Sequence, residues 1–250
     1  MSGQFGLKLW STNVQLLDQA EDFIKKKIFD YVELLVVPET DITPFLSHHI
    51  PYCIHITTDL HGVNIASPQN HTYTRTQIES CIDWANNLNA CYIILHPGVG
   101  DINNALDFLK ELHDERILIE NMPKTGLNGE ELIGFSPTQI KSLMGNHFGF
   151  CLDLNHAIKA STSLQLPYKK MIQDFLLLQP AMFHISDGHV ACEKDEHIPI
   201  RSGDYNIPAL LKDVRKSHSH IITLETPRSN QNSLNEDLRN LEAIKHFNIL

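Results

Sequence analysis

The stretch Phe150-Cys151-Leu152-Asp153-Leu154-Asn155-His156 is typical of a buried strand that ends in two possible metal ligands. The apolar residues from 148 to 152 need cover on both faces, as the strands of a parallel sheet do. A carboxylate in such a strand is costly unless a partner compensates its charge. We therefore expect Asp153 to lie at the C-terminal end of the strand, with His156 just beyond it, and both side chains to face a cation.

Four other apolar runs carry the same kind of residue. His96 ends the run 92–96, Glu120 ends 117–120, His184 lies within 182–185, and Glu225 ends 221–225. One apolar strand with a terminal acid or histidine is common. Five strands with oxygen or nitrogen donors at the same end indicate a shared site.

The whole chain alternates short β-type runs with amphipathic helical stretches. The predicted strands are 5–10, 31–37, 51–56, 91–95, 116–120, 148–153, 181–185 and 220–225, and the predicted helices are 13–27, 41–49, 75–89, 103–113, 136–144, 167–178, 207–217 and 233–247. Eight such units predict an α/β fold, a (β/α)₈ TIM barrel that forms a single domain over residues 1–250. A doubly wound open sheet is the alternative, but residues 9–12 lack the Gly-rich first turn common in such folds.

Composition narrows the class of function. The formal charge of -10 argues against a broad nucleic-acid-binding surface. The five cysteines form no CxxC pair and lie mostly in apolar runs, which predicts reduced, buried thiols in a cytoplasmic protein. We expect no signal peptide and no membrane span, since no apolar run approaches roughly 20 residues. We make no prediction of the oligomeric state.

The donors at the strand ends predict a metal site. Glu120, Asp153, His184 and Glu225 come from strands five to eight, and adjacent strands lie roughly 5 Å apart, so the four side chains can converge on one ion. Carboxylate and imidazole without cysteine suit Zn²⁺, Mn²⁺, Co²⁺ or Fe²⁺. For each residue alone, a satisfied polar group of the core or rim is the competing interpretation.

Further residues extend this predicted site. A second ion could be held by His156, Asp195 and His197, although residues 193–196 are also typical of a solvated charge run, and His96 could join Glu120 at a third position. We expect Asp187 to accept a hydrogen bond from the His184 ring. The candidates for the pocket wall are His61, Asn64, Asn121 and His189.

The resemblance to a known family lies in six short motifs that follow one another along the chain. They are Leu95-His96-Pro97-Gly98, Ile119-Glu120-Asn121, Leu152-Asp153-Leu154-Asn155-His156-Ala157, His184-Ile185-Ser186-Asp187, Asp195-Glu196-His197-Ile198-Pro199 and Leu224-Glu225-Thr226-Pro227. As an ordered set they resemble the superfamily of xylose isomerase-like TIM barrels, which includes endonuclease IV and many sugar isomerases and epimerases.

The resemblance implies two alternative activities. In the sugar isomerases and epimerases one divalent ion is bound by two Glu, one Asp and one His, which implies Glu120, Asp153, His184 and Glu225 here. Glu120 and Glu225 would be the catalytic acid/base pair, and His156 would bind substrate. In endonuclease IV three zinc ions act on a phosphodiester beside an abasic site. That implies one ion at His96 and Glu120, one at the four donors already named, and one at His156, Asp195 and His197.

The chain departs from both patterns. Endonuclease IV carries a further histidine ligand after its third strand, where this chain has Thr58, with His61 nearby. The loop 38–41 is acidic, where an enzyme that inserts into DNA would need Arg or aromatic residues. Epimerases carry an Arg shortly after the strand-seven histidine, where this chain has Gly188-His189-Val190, and Arg201 is the candidate replacement.

The sequence therefore predicts an isomerase or epimerase that acts on a small sugar or sugar phosphate with one to three ions of Zn²⁺ or Mn²⁺. Substrate contacts are assigned to His61, Asn64, His189 and Arg201. The alternative is an endonuclease IV-like hydrolase of abasic-site DNA, which the acidic composition disfavours. A binding protein without catalysis is a third hypothesis, disfavoured because every ligand of the single-ion set is present.

Overall fold

The structure is a computed structural model that describes residues 3–249. Eight parallel strands pair in chain order, and the eighth pairs with the first to close a barrel. The strands are β1 (Gln4–Trp10), β2 (Tyr31–Val36), β3 (Tyr52–Ile56), β4 (Ile93–Leu95), β5 (Ile117–Glu120), β6 (Gly149–Asp153), β7 (Met182–Ile185) and β8 (Ile221–Leu224). The predicted (β/α)₈ barrel is confirmed.

Helices cover the outside of the barrel. They are α1 (Leu17–Lys25), α2 (Thr43–Leu46), α3 (His71–Asn87), α4 (Ile102–Leu109), α5 (Pro137–Met144), α6 (Leu154–Ser163), α7 (Tyr168–Leu176), α8 (Ile207–Arg215) and α9 (Asn235–Lys245). Their apolar faces pack against the outward side chains of the strands, such as Leu34, Phe150 and Phe183, to form the main core. No helix among residues 3–249 is long and apolar enough to cross a membrane.

Helix α6 is the element that the sequence did not predict. No helix is predicted between strand 148–153 and helix 167–178, but Asp153 is the N-cap of α6, and its Oδ1 accepts a hydrogen bond from the backbone N–H of His156 at 2.7 Å. Residues 154–161 of the helix are all buried. The predicted helix 167–178 is the following one, α7, so two helices connect β6 to β7.

The inside of the barrel is closed at its N-terminal end by a layer that we call the floor. It consists of one inward side chain from each of six strands: Tyr31, Cys53, Ile94, Leu118, Cys151 and Met182. The ring of Tyr31 lies across the backbone of Gly6 on β1, where a Cβ atom would come within 2.3 Å of it. The absence of a side chain at position 6 therefore lets the floor close.

All five cysteines are free thiols, as predicted, but they are not all buried. Cys91 is exposed and Cys192 is partly exposed, because both lie in connecting loops. The Sγ atoms of Cys53 and Cys91 lie 3.3 Å apart, at the N-terminal end of the barrel and away from the predicted site.

Candidate metal centre

A single layer of polar side chains lies above the floor, and we call it the ring. Side chains of a strand alternate between its two faces, so the residue two positions after each floor residue also points into the barrel. On these six strands that position is occupied by an acid or a histidine, and Lys8 on β1 and Glu225 after β8 complete the layer. The ring consists of Lys8, Glu33, His55, His96, Glu120, Asp153, His184 and Glu225, one from each strand or from the residue after it.

Four members of the ring form the predicted metal-binding group. Single donor atoms of Glu120, Asp153, His184 and Glu225 all lie within 4.8 Å of one another. Oδ2 of Asp153 is buried and has no hydrogen-bond partner among the described residues. A buried carboxylate oxygen without a partner is costly unless a cation compensates its charge. The donor set and this oxygen both fit a divalent ion.

The imidazole of His184 is oriented by Glu33. Nε2 of His184 lies 2.9 Å from Oε2 of Glu33, and Nδ1 lies 3.1 Å from Oε1 of Glu120, on the side of the four donors. A carboxylate behind a histidine ligand fixes the ring and its tautomer in metal sites. The hydroxyl of Thr223 donates a second hydrogen bond to Glu33 at 2.5 Å.

Asp187, which was expected to hold the His184 ring, has another role. Its carboxylate accepts hydrogen bonds from the backbone N–H groups of Gly188, Arg201 and Tyr205. Asp187 therefore organises the long loop after β7. The prediction for Asp187 is wrong, because Glu33 and not Asp187 contacts the imidazole of His184.

Two further donor groups flank the central one. His55, His96 and Glu120 form the first, with the Nε2 atoms of the histidines 3.2 and 3.0 Å from Oε2 of Glu120. Asp153, His156 and His197 form the second. Asp195 lies between the two histidines of the second group, at 3.3 Å from His156 Nε2 and 3.1 Å from His197 Nε2. The structure thus brings together all eight residues that the sequence assigned to metal ions.

The environment shifts the pKa values of the ring carboxylates in opposite directions. Burial alone would raise the pKa of Glu225, but His184 and Lys8 outweigh it and lower this pKa to about 2. Burial likewise opposes the ionisation of Glu120, whose pKa His184 and His96 hold well below its usual range. For Asp153 burial prevails and raises the pKa. Asp153 is therefore the ring carboxylate whose charge the protein compensates least.

The ring opens into a cavity of about 700 Å³ at the C-terminal mouth of the barrel. Trp10 lies on the rim with 48% of its surface exposed and also lines the cavity. The lysines and arginines among the lining residues are Lys8 and Arg228, and both are paired. Lys8 contacts the carboxylates of Glu33 and Glu225, and Nε of Arg228 donates to Asp237 at 2.7 Å.

The four residues expected to bind substrate do not line this cavity. The side chain of Asn64 hydrogen-bonds the backbone of Ala66 and Val99, so it ties two loops together. His189 faces Glu196 at 3.1 Å, and the guanidinium of Arg201 stacks over Phe247. His61 lies in a short 3₁₀ turn at residues 59–61. Their assignment to substrate binding gains no support from the geometry.

The ring members on the first three strands were not among the residues predicted from the sequence. Lys8, Glu33 and His55 lie inside apolar strands and not at their ends, so a search of strand ends passes over them. The available signal was a charged residue flanked by apolar residues in a strand that is buried on both faces, which requires a partner inside the barrel.

A family model described as "xylose isomerase-like TIM barrel" matches residues 26–247. A curated relative, the probable endonuclease 4 of Mycoplasmopsis synoviae (strain 53), is 26% identical over 193 residues, which cover 67% of this chain and 68% of the relative. Two solved structures share the fold over 98% of both chains at 17% identity. They are a D-tagatose 3-epimerase-like protein, with a TM-score of 0.73, and endonuclease IV from Thermus thermophilus, with a TM-score of 0.71.

Proposed function

The chain belongs to the xylose isomerase-like TIM barrel family, and we propose that it is a divalent-metal-dependent isomerase or epimerase of a small sugar or sugar phosphate. The observation that carries this proposal is a pair of carboxylates, Glu120 and Glu225, within one four-donor group, of which Glu225 lines the cavity. The D-tagatose 3-epimerase-like structure is consistent with this class of substrate.

The two carboxylates suit proton transfer at a carbon next to a carbonyl. Both have a pKa below its usual range, so each can accept a proton at neutral pH. One would remove the proton from the substrate. The same carboxylic acid would return that proton at the neighbouring carbon, or the second carboxylate, after it has taken up a proton from water, would deliver it on the other face. A divalent ion, when bound to Glu120, Asp153, His184 and Glu225, would polarise the substrate oxygens and stabilise the negative charge that develops.

The cavity suits a small substrate better than DNA. Binding of a DNA backbone needs several free cationic side chains, and the two that line this cavity are each committed to carboxylates. The net charge of -10 would further repel a polyanion. Trp10 offers a flat apolar surface at the rim against which the carbon face of a sugar can pack.

Solvent exchange tests this proposal directly. Protein loaded with Mn²⁺ is incubated in D₂O with ketoses and ketose phosphates, and NMR follows deuterium incorporation beside the carbonyl. Glu120→Gln and Glu225→Gln should each reduce exchange by at least about 10²-fold, the usual size of a general acid–base contribution. Glu115→Gln, a change on the exposed surface, is the matched control. Full exchange in either site variant would overturn the proposal.

A second candidate is an endonuclease IV-like hydrolase of abasic-site DNA. It is favoured by the contacts of His156 and His197. In each of these histidines one ring nitrogen lies within hydrogen-bonding distance of a backbone carbonyl oxygen, and the other lies close to the carboxylate of Asp195. Nδ1 of His156 lies 2.8 Å from the carbonyl oxygen of Asn121, and Nδ1 of His197 lies 3.0 Å from that of Glu225. Metal-bound histidines commonly show this arrangement. Cleavage of an abasic-site duplex by protein that carries two or three zinc ions would select this candidate.

We also propose a reducing, cytoplasmic environment. The Sγ atoms of Cys53 and Cys91 lie within 3.3 Å of each other, and all five thiols are free. Thiols remain reduced in the cytosol and are usually oxidised in secreted proteins. Thiol titration of the protein isolated under anaerobic conditions should give five free thiols per chain, and a value of three would contradict the proposal.

A further inference from the structure

Lys8 is the one ring member that is a cation by nature. It lies on β1 between Leu7 and Leu9, and 13% of its side chain is exposed. In a closed barrel the neighbours of β1 are β2 and β8, so the ring members beside Lys8 are Glu33 and Glu225. Its Nζ contacts both carboxylates, with 2.5 Å to Oε1 of Glu33.

The acceptors of Lys8 belong to a donor group that could itself hold an ion. Donor atoms of Glu33, His55, His184 and Glu225 lie within 4.8 Å of one another. This group shares His184 and Glu225 with the proposed metal centre, so a cation between Glu33 and Glu225 would lie directly beside the first ion. The ammonium of Lys8 already lies between those two carboxylates.

We propose that Lys8 is a positioning residue whose ammonium takes the place of a second divalent ion and holds Glu225 for the metal centre. The inference rests on the proposed metal-dependent function. Two buried carboxylates on one side of the ring repel each other unless a cation separates them. An ammonium fixed to the strand by its own covalent stem is always present, whereas an ion can dissociate. The donor group that contains Glu33 is thus blocked for metal ions. A divalent ion can bind only in the donor group that contains Asp153.

The contacts around Lys8 support a fixed position. Arg228 donates a hydrogen bond to the backbone carbonyl of Lys8 and is itself held by Asp237. Glu33 is held by His184 and by the hydroxyl of Thr223. The backbone of Lys8 and one acceptor of its ammonium, Glu33, are therefore each held by further contacts. A long flexible side chain is positioned better by such an arrangement than by a single ion pair.

The proposal predicts the metal stoichiometry of a set of variants. Each protein is saturated with Mn²⁺, freed of excess ion and analysed by elemental mass spectrometry. Lys8→Ala, which opens space between the two carboxylates, should bind one more ion per chain than the wild-type protein. Lys8→Arg keeps a cation between the two carboxylates, so it should bind the same number of ions as the wild type.

The outcomes separate this inference from the function on which it rests. A folded Lys8→Ala protein with the wild-type number of ions would overturn the role of Lys8 and leave the metal centre intact. A wild-type protein that binds no ion would overturn both. If Lys8→Ala is unfolded in chelator, circular dichroism with added Mn²⁺ decides, since recovery of the fold supports the proposal and failure to recover contradicts it.

Discussion

Replacement of Asp153 by Asn should stabilise the metal-free protein while it weakens metal binding. Asn is as good an N-cap as Asp, so the hydrogen bond from the N–H of His156 to position 153 can persist. The substitution replaces the unpartnered Oδ2 with an amide that faces the carboxylate acceptors of Glu120 and Glu225. It also removes one of the four donors of the proposed centre.

The size of the stabilisation follows from burial. Asp153 is 1% exposed, and a buried polar group without a partner costs about 1–3 kcal/mol. The free energy of unfolding of the metal-free variant should therefore exceed that of the wild type by about 1–3 kcal/mol. For a chain of this size that corresponds to an increase in Tm of roughly 2–12 °C.

The assay is thermal unfolding in chelator, followed by isothermal titration with Mn²⁺. Asp101→Asn is the matched control, because Asp101 also caps a helix with its side chain but is exposed. It should change neither Tm nor metal binding. An Asp153→Asn protein that is less stable than the wild type in chelator, or that binds Mn²⁺ as tightly, would refute the argument.

The stabilisation by Asp153→Asn should depend on pH. Burial raises the pKa of Asp153 in the folded state above its ordinary value of 3.8. Ionisation of this group therefore costs the folded wild-type protein stability above the raised pKa, and this cost vanishes below pH 3.8. The stabilisation by Asp153→Asn should be complete at neutral pH and should decline as the pH falls through the raised pKa. A difference in Tm that grows towards acid pH would contradict this assignment.

Three further predictions concern Glu33 in the ring, Lys159 on α6 and Cys91 at the N-terminal end of the barrel. Glu33→Gln should weaken Mn²⁺ binding about 10–100-fold, because the histidine ligand loses its orienting carboxylate; titration calorimetry measures this, and unchanged affinity would contradict it. Lys159→Met should lower the free energy of unfolding by about 1–3 kcal/mol, because Glu196 and the carbonyl oxygen of His189 each lose a hydrogen bond from the buried ammonium. The exposed Lys169→Met is the control in urea unfolding, and equal stability of the two variants would contradict this prediction. Cys91 is exposed, and a hydrogen bond from the neighbouring thiol of Cys53 lowers its pKa to about 7. Iodoacetamide should therefore alkylate Cys91 before the other cysteines, at a rate that rises through pH 7. Peptide mapping that shows another cysteine modified first would contradict this prediction.

The fold and the central donors were accessible from the sequence for a common reason. The proposed metal ligands on β5 to β8 lie at or next to the ends of apolar runs, and the same runs define the barrel strands. The chain order of strands and helices then allows few arrangements other than a closed barrel. The four donors, including Asp153 and His184, which are paired in register on β6 and β7, were thus predicted together with the fold.

The remaining parts of the site depend on information that the sequence does not contain. A charged residue in a strand that is buried on both faces, such as β2, indicates that a partner lies inside the barrel, but the sequence does not show which residue that partner is. The contacts of Glu33 and His55 in the ring could therefore not be assigned until the closure of the barrel placed them. The role of Asp187 could not be predicted for the same reason. Its carboxylate accepts hydrogen bonds from backbone N–H groups that only the folded loop after β7 brings within reach.

The metal content of the wild-type protein tests the central claim most directly. The protein is purified without chelator and analysed by elemental mass spectrometry, with Glu225→Gln as the reference for a damaged centre. The account predicts one divalent ion per wild-type chain and a lower content in the variant. Two or three zinc ions per chain would contradict the single-ion isomerase and favour the hydrolase, and a wild-type protein that binds neither Zn²⁺ nor Mn²⁺ would contradict the metal-dependent site as a whole.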